Sequence, residues 1–145
     1  MSEWLWYAIA AAVLYGLHQV FTKLASAHIG EGVGGFVVEA SAALIIALYL
    51  VYLNFFGESK QPVTGRGVFY SVITGFCVGA GTVAFFLLFQ KGGQLSAVPM
   101  VLAGGAALMA VAGILFFREP VTLMRVSGIV LSLLGLFLLR YSPTK

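Results

Sequence analysis

The feature that most constrains the fold is the run of residues 96–117, SAVPMVLAGGAALMAVAGILFF, which has no charged residue in 22 positions. A second apolar run, residues 121–139, follows it, and a single arginine, Arg125, interrupts that run near its start. A helix needs about 20 apolar residues to cross about 30 Å of hydrocarbon, because it rises about 1.5 Å per residue. The two runs therefore predict a transmembrane helical hairpin that turns at residues 118–120.

Composition excludes a water-soluble globule. The chain has 145 residues, of which 61% are hydrophobic and only 9% are charged, whereas soluble domains have roughly a quarter charged residues. The net charge of +3 is too small and too scattered to indicate a nucleic-acid partner. One cysteine, Cys77, rules out a disulfide framework. The sequence has no CxxC, metal-spaced histidine pair or phosphate-cradling glycine loop, so we expect no cofactor and no metal.

The pattern of apolar runs predicts an all-α integral membrane protein, with residues 1–145 forming a single domain of five transmembrane helices. The predicted spans are about 4–26, 33–55, 68–89, 96–117 and 121–139. Between the last two, Glu119 and Pro120 are interpreted as a structural hinge. A carboxylate and a proline at the start of a helix are favoured by the helix dipole and by proline geometry.

The first span has a polar face in its second half. Its members are Tyr15, His18, Gln19, Thr22, Lys23 and Ser26. At about 100° per residue they fall within an arc of roughly 140°. Two interpretations stay open: a buried face in which each group is hydrogen-bonded to a neighbour, or the wall of a water-filled cavity. Polar side chains in spans usually face bundle interiors or pathways.

Glu39, in the second span, is the most informative residue. A carboxylate this deep in a span costs a few kcal/mol on insertion scales, so such residues tend to be functional. By helical rise, Glu39 lies about 10 Å below the first connector, Lys23 about 6 Å and His18 about 13 Å. Glu39 could pair with Lys23 or His18 and merely order the bundle. Alternatively, it could exchange a proton for substrate, since burial disfavours the charged form of a carboxyl group.

Small residues recur at helical spacing in the last three spans. They are Gly75 and Gly79 in span three, Gly104 and Gly105 in span four, and Gly128, Ser132 and Gly135 in span five. In lipid, close backbone approach at small residues supplies much of the attraction between helices. These faces are predicted to pack either within the chain or between two copies of it.

The basic residues do not set an orientation. Five spans put Lys60, Arg66, Arg118 and Arg125 on one side of the membrane, and Lys23, Lys91, Arg140 and Lys145 on the other. The positive-inside rule needs an imbalance, and here the tally is four against four. A chain without bias can insert in both orientations, which predicts an antiparallel homodimer of ten helices. A fixed orientation or a parallel dimer is the alternative.

Three segments resemble one half of an EamA-type transporter of the drug/metabolite transporter superfamily. The first is LYGLHQVFTKLAS (residues 14–26), with a small residue, Gly16, followed by Lys23 late in the helix. The second is SAVPMVLAGGAALMAVAGILFFRE, with an early proline, Pro99, and Glu119 at its end. The third is PVTLMRVSGIVLSLLGLFLL, with Gly128 and Gly135.

The resemblance implies a half-size member of that family. Most members resemble two fused five-helix repeats of inverted orientation, so a single repeat implies dimerisation around a central substrate cavity. It also implies transport of small metabolites, amino acids or drugs across a bacterial or archaeal cytoplasmic membrane. The small multidrug resistance branch differs, because it has four spans and has its carboxylate in span one.

The leading hypothesis is therefore a dimeric secondary transporter, an exporter with proton coupling, that works by alternating access. Glu39 would be the coupling group, with His18 as a relay, and Lys23 would either pair with Glu39 or attract an anionic group. Tyr15, Gln19 and Thr22 would hydrogen-bond a small-molecule substrate. A non-transporting membrane subunit and a lipid-headgroup flippase are the alternatives. An enzyme is not expected, because no nucleophile–base or metal constellation is present.

Overall fold

The computed structural model describes residues 3–57 and 61–140. Within them the chain forms five α-helices and one 3-10 turn and has no β-strand, which confirms the all-α prediction. The helices are α1 (Glu3–Ser26), α2 (Glu31–Phe56), α3 (Gly65–Gln90), α4 (Val98–Phe117, preceded by the 3-10 turn Leu95–Ala97) and α5 (Leu123–Arg140). The side chains of Arg125, Ser132 and Arg140, and the whole of Lys60 and Lys145, lie outside the described part of the chain.

Four segments are long and apolar enough to cross a membrane: α1, α2, α3 and the stretch Leu95–Phe117 that contains α4. The 26 residues of α2 and of α3 extend about 39 Å each, more than the hydrocarbon thickness. Helix α5 has 18 residues and contains a shorter apolar helical segment, Val126–Gly135. Its crossing of the membrane stays a prediction.

The helices begin where local chemistry favours a helix start. Glu31 lies in the first turn of α2, where a negative charge faces the positive end of the helix dipole. Thr64 caps α3, because its Oγ1 accepts a hydrogen bond from the Gly67 backbone N–H at 3.1 Å. Pro99 lies in the first turn of α4, where its missing N–H has no partner to lose.

The contacts divide the chain into two compact units, one ending at Gly92 and the other beginning at Gly93. The first contains α1, α2 and α3, and the second contains α4 and α5. The prediction of a single domain stays a prediction.

In the first unit, α3 packs against both α1 and α2, and burial is concentrated at one end. This packed end consists of the C-terminal halves of α1 and α3 and the N-terminal turns of α2. Its buried residues are Gln19, Thr22 and Ser26 of α1, Gly34 and Gly35 of α2, and Thr82, Phe86 and Phe89 of α3.

Two glycines allow α2 to approach α3 closely at the packed end. A Cβ atom on Gly34 would overlap the ring of Phe86, whose side chain is fully buried. A Cβ atom on Gly35 would lie 3.2 Å from Cγ2 of Val83. Beyond these contacts, Gln90 Nε2 donates a hydrogen bond to the Ile29 carbonyl at 3.0 Å, so the α1–α2 connection is fastened to the end of α3.

In the second unit, α4 ends at Arg118, which adopts the left-handed conformation with φ 52° and ψ 36°. The Glu119 N–H donates to the Gly113 carbonyl at 3.1 Å. A Cβ atom on Gly113 would lie 3.1 Å from Oε2 of Glu119, so this carboxylate covers the last turn of α4. Pro120 also lies in this connection, ahead of α5, and the role of both residues as a structural hinge stays a prediction.

Six of the glycines predicted to mediate helix packing make no close approach to the described residues. A Cβ atom built on any of them meets no atom within 4 Å; they are Gly75, Gly79, Gly104, Gly105, Gly128 and Gly135. Within each of the two units, these positions therefore show no close helix–helix approach of the kind seen at Gly34 and Gly35. The alternative, that they pack against a second copy, stays a prediction.

Candidate functional site

Glu39 has a defined partner at the packed end. Thr82 of α3, 5% exposed, donates a hydrogen bond from Oγ1 to Oε1 of Glu39 at 2.6 Å. This distance is typical of a hydroxyl bound to a carboxylate, a bond roughly twice as strong as one between neutral groups. The carboxylate is therefore held between α2 and α3 by a neutral donor.

The close approach of α2 to α3 places this pair. Glu39 lies one helical turn after Gly35, so both residues face the same neighbour. Because Gly35 has no side chain, α2 can approach Val83 and Thr82 of α3 closely. The Glu39 carboxylate then lies within hydrogen-bonding distance of the Thr82 hydroxyl.

On α1, three members of the predicted polar face are buried. Gln19 is 7% exposed, Thr22 2% and Ser26 8%, and their spacing of three and four residues puts them on one side of the helix. The Ser26 hydroxyl donates to the Lys23 carbonyl at 2.8 Å. His18 is half-buried, whereas Tyr15, one turn before Gln19 on the same side of α1, is 70% exposed because it lies outside the packed end.

Three polar atoms on this part of α1 are buried and have no hydrogen-bond partner among the described residues. They are Nδ1 of His18, Oε1 of Gln19 and Oγ1 of Thr22. An unsatisfied buried polar group costs about 1–3 kcal/mol, and proteins usually satisfy such groups with protein atoms, water or a bound molecule. These three atoms are therefore candidates for hydrogen bonds with water or a bound molecule.

At the outer edge of the packed end, Lys23 contacts an aromatic ring. Its Nζ lies 5.1 Å from the centroid of the Phe89 ring, within the range of a cation–π interaction. The Phe85 ring lies 6.3 Å from the same ring, centroid to centroid. Glu39 accepts the Thr82 hydrogen bond and Lys23 lies over Phe89, and the pairing of Glu39 with Lys23 or His18 stays a prediction.

The Lys23–Phe89 contact and the Glu39–Thr82 contact lie at different depths along the helices. Phe89 and Thr82 are seven residues apart on α3, so their Cα atoms lie about 10 Å apart along the helix axis, with Phe89 nearer the end of the helix. Gln19 and Thr22 precede Lys23 by four residues and by one, so they lie about 6 Å and about 1.5 Å deeper than Lys23 along α1. The site is thus a polar column in which Lys23 lies nearest the α1–α2 connection and Glu39, Gln19 and His18 lie deeper along the helices.

Two open grooves on α3 lie away from this column. One, of about 480 Å³, is lined by Pro62, Val63, Thr64, Gly67, Val68, Ser71 and Val72. The other, of about 540 Å³, is lined by Val72, Gly75, Phe76, Gly79 and Ala80. Neither of these two grooves is lined by a titratable side chain.

Comparison with known proteins identifies the family. The model of the EamA-like transporter family matches residues 2–141. The chain belongs to the EamA-like transporter family. This confirms the resemblance drawn from the first, fourth and fifth spans.

Two relatives are similar to this EamA-like chain over nearly their whole length. One, from Sinorhizobium sp, is named "Uncharacterized transporter in cobO 3'region" and is 24% identical over 140 residues, covering 95% of this chain and 96% of the relative. The other, "Uncharacterized protein MJ1333.1" of Methanocaldococcus jannaschii, is 27% identical over 136 residues, covering 92% and 93%. No solved structure matches the chain significantly. Family and relatives point to a multi-pass membrane transporter rather than an enzyme.

Proposed function

We propose that this EamA-like chain is a secondary transporter that exports small metabolites, amino acids or drug-like compounds across a bacterial or archaeal cytoplasmic membrane. The observation that carries the proposal is the position of Glu39. Its carboxylate lies in an apolar span, bonded to Thr82, at the end of the unit where buried atoms of Gln19 and Thr22 have no partner among the described residues. A carboxylate retained at such a depth favours an ion or substrate pathway.

In this mechanism Glu39 couples the flux of protons to the flux of substrate. A proton and a substrate compete for the carboxylate, so that binding of one releases the other. His18 relays the proton, and Gln19 and Thr22 hydrogen-bond the substrate. Tyr15, exposed in the single chain, would contact substrate from a cavity completed by a second copy.

The working unit would be an antiparallel homodimer. The balance of four basic residues on each side supports insertion in both orientations. Glycine faces on α3, α4 and α5 that the described chain does not use for close approach would be available for contacts between copies. Two inverted copies reproduce the inverted-repeat architecture through which secondary transporters rock around a central site.

Proton flux in liposomes tests the role of Glu39. Vesicles containing the purified chain and a pH-sensitive dye are exposed to a panel of amino acids and amines. We expect substrate-driven proton movement that Glu39→Gln reduces at least about tenfold, because the neutral amide cannot exchange a proton. The exposed Glu3→Gln at the start of α1 is the matched control and should keep the flux. Unchanged flux in Glu39→Gln between about pH 5 and 9 would remove Glu39 from coupling.

Cysteine labelling separates a transporter from a sealed membrane subunit. In a Cys77→Ser background, single cysteines replace Tyr15 or Gln19, and a membrane-impermeant thiol reagent is added from each side. A transporter that opens its cavity should be labelled at both positions. Complete protection from both sides would favour the subunit instead.

A further inference from the structure

Three helices of the packed end place polar side chains at a common depth. Gln19 lies seven residues before the end of α1, which is about 10 Å by helical rise. Glu39 lies eight residues after the start of α2 and Thr82 eight residues before the end of α3, which is about 12 Å for each. The hydrogen bond from Gln90 to the Ile29 carbonyl holds the end of α3 at the α1–α2 connection. The three depths are therefore counted from the same end of the unit.

Two buried side chains of α1 have acceptor atoms without a partner among the described residues. Gln19 is 7% exposed and Thr22 is 2% exposed, and the unpaired atoms are Oε1 and Oγ1. The two residues are three apart on one helix face, where Cβ atoms lie about 5–6 Å from each other. One small group between these side chains can therefore bond both oxygens.

The polar atoms at this depth call for a guest that donates hydrogen bonds. An amide oxygen and an ionised carboxylate can only accept them. The Thr82 hydroxyl donates its proton to Oε1 of Glu39, so its oxygen is left to accept. Glu39 is half-buried in an apolar helix, where a carboxylate is costly unless an opposite charge offsets it. A positively charged guest with several N–H groups meets both requirements.

We infer that this level binds the primary ammonium group of a small amine, which donates one N–H to the Glu39 carboxylate, one to Oε1 of Gln19 and one to Oγ1 of Thr22. The inference rests on the proposed function and names the substrate class of that site. An ammonium group carries three donors on one nitrogen, which equals the number of acceptors offered. Its single positive charge also neutralises the carboxylate.

The other titratable side chains of the packed end have no part in this assignment. Lys23 lies about 6 Å nearer the connection than Gln19 along α1 and contacts Phe89. His18 lies beside Gln19, and its Nδ1 accepts a hydrogen bond only in the neutral imidazole. Binding is therefore measured at about pH 8, where histidine side chains are ordinarily neutral. The remaining titratable groups of this end lie at the connectors: His28, Glu31 and Lys91.

A series of amines with constant charge and decreasing numbers of N–H groups tests the inference. Butylamine, N-methylbutylamine, N,N-dimethylbutylamine and butyltrimethylammonium each carry one positive charge, with three, two, one and no N–H donors. Isothermal titration calorimetry on the full chain in detergent, in an amine-free buffer, gives the Kd of each. We expect butylamine to bind most tightly and each added methyl group to raise Kd about tenfold, because it removes one charge-assisted hydrogen bond. Butanol, the uncharged control, should not bind.

Variants identify the acceptors. Gln19→Met and Thr22→Val each remove one acceptor with little change in volume, so N-methylbutylamine should then bind within about threefold of butylamine. Thr74→Val removes an exposed hydroxyl that bonds its own helix and should keep the tenfold preference. Glu39→Gln should weaken all four amines at least about tenfold, because the negative charge is lost. Should a variant fail to fold, the series on the unmodified chain decides by itself.

Three outcomes would overturn the inference. Equal binding of butylamine and butyltrimethylammonium would indicate a cation cavity without hydrogen bonds. Absence of binding by all four amines would leave water as the partner of Gln19 and Thr22. An unchanged tenfold preference in both Gln19→Met and Thr22→Val would show that other atoms bind the ammonium group.

Failure of the inference is distinguishable from failure of the proposed function. If no amine binds but Glu39-dependent proton flux is seen with another compound, the substrate class is wrong and the transporter stands. If amines bind in the expected order and no compound causes flux, the site is right and transport is wrong.

Discussion

At the scale of single residues, Thr82 is the partner that positions the Glu39 carboxylate. Its hydroxyl is buried and donates at 2.6 Å, so it supplies a hydrogen bond where water is scarce. Thr74, on the same helix, is exposed and instead donates to the Tyr70 carbonyl of its own helix at 2.9 Å. The two threonines therefore provide a matched comparison between a tertiary and a local hydrogen bond.

Replacing Thr82 by valine should destabilise the protein by about 1–3 kcal/mol, because the substitution leaves a part-buried carboxylate oxygen without its donor. Thr74→Val should change stability by less than about 0.5 kcal/mol. Unfolding of the purified chain in detergent, followed by circular dichroism, measures both. Thr82→Ser restores the hydroxyl and should recover most of the loss. Equal effects of Thr82→Val and Thr74→Val would show that the Glu39–Thr82 bond contributes no stability.

Glu39 and Thr82 also differ in how readily the sequence identifies them as site residues. Glu39 can be identified as a candidate site residue from the sequence alone. Placing a carboxylate in an apolar span costs free energy, so such residues tend to be functional. Thr82 cannot be identified in this way, since a hydroxyl in a helix commonly bonds the carbonyl four residues earlier, as Ser41 and Thr74 do. Only the tertiary structure shows that Thr82 bonds a residue 43 positions away.

At the scale of elements, α2 and α3 meet at Gly34 and Gly35, not at the glycines that regular spacing singles out. Gly75 and Gly79 of α3 have the spacing of a packing motif, yet a Cβ atom on either meets no described atom within 4 Å. Regularly spaced glycines show which face of a helix has small side chains, but they do not show which other helix packs against that face. The sequence predicted the helices themselves more reliably than it predicted their contacts. Whether a helix can span lipid depends on the length of its own apolar run, whereas a contact also depends on the partner helix.

Gly34→Ala should weaken the α2–α3 contact, because the added methyl group would overlap the fully buried Phe86 ring. Overpacking of this kind costs about 1–3 kcal/mol. Gly32→Ala, two residues earlier, meets no atom within 4 Å and gains helix propensity at no steric cost. Thermal unfolding in detergent should show a lower Tm for Gly34→Ala and an unchanged or higher Tm for Gly32→Ala. The reverse order would contradict the close approach.

At the scale of the whole molecule, the balance of basic residues predicts two orientations in the membrane. A C-terminal reporter that is active only in the cytoplasm, paired with one that is active only outside it, should give signal in both compartments. Adding one lysine to either end of the chain should shift the signal towards a single compartment, because the tally of four against four then becomes unequal. A signal confined to one compartment in the unmodified chain would rule out the antiparallel homodimer.

The burial of the first unit at one end has a mechanical consequence. The far end of α2, Phe56, lies 17 residues from Glu39, and the far end of α3, Gly65, lies 17 residues from Thr82; the buried residues of both helices lie at the packed end. Each helix thus extends about 25 Å beyond the Glu39–Thr82 bond. A tilt of about 10° at that bond would displace the far end of the helix by about 4 Å. A change of hydrogen-bond partner at Glu39 that tilted either helix would therefore move its far end, at the opposite membrane face, by several ångströms.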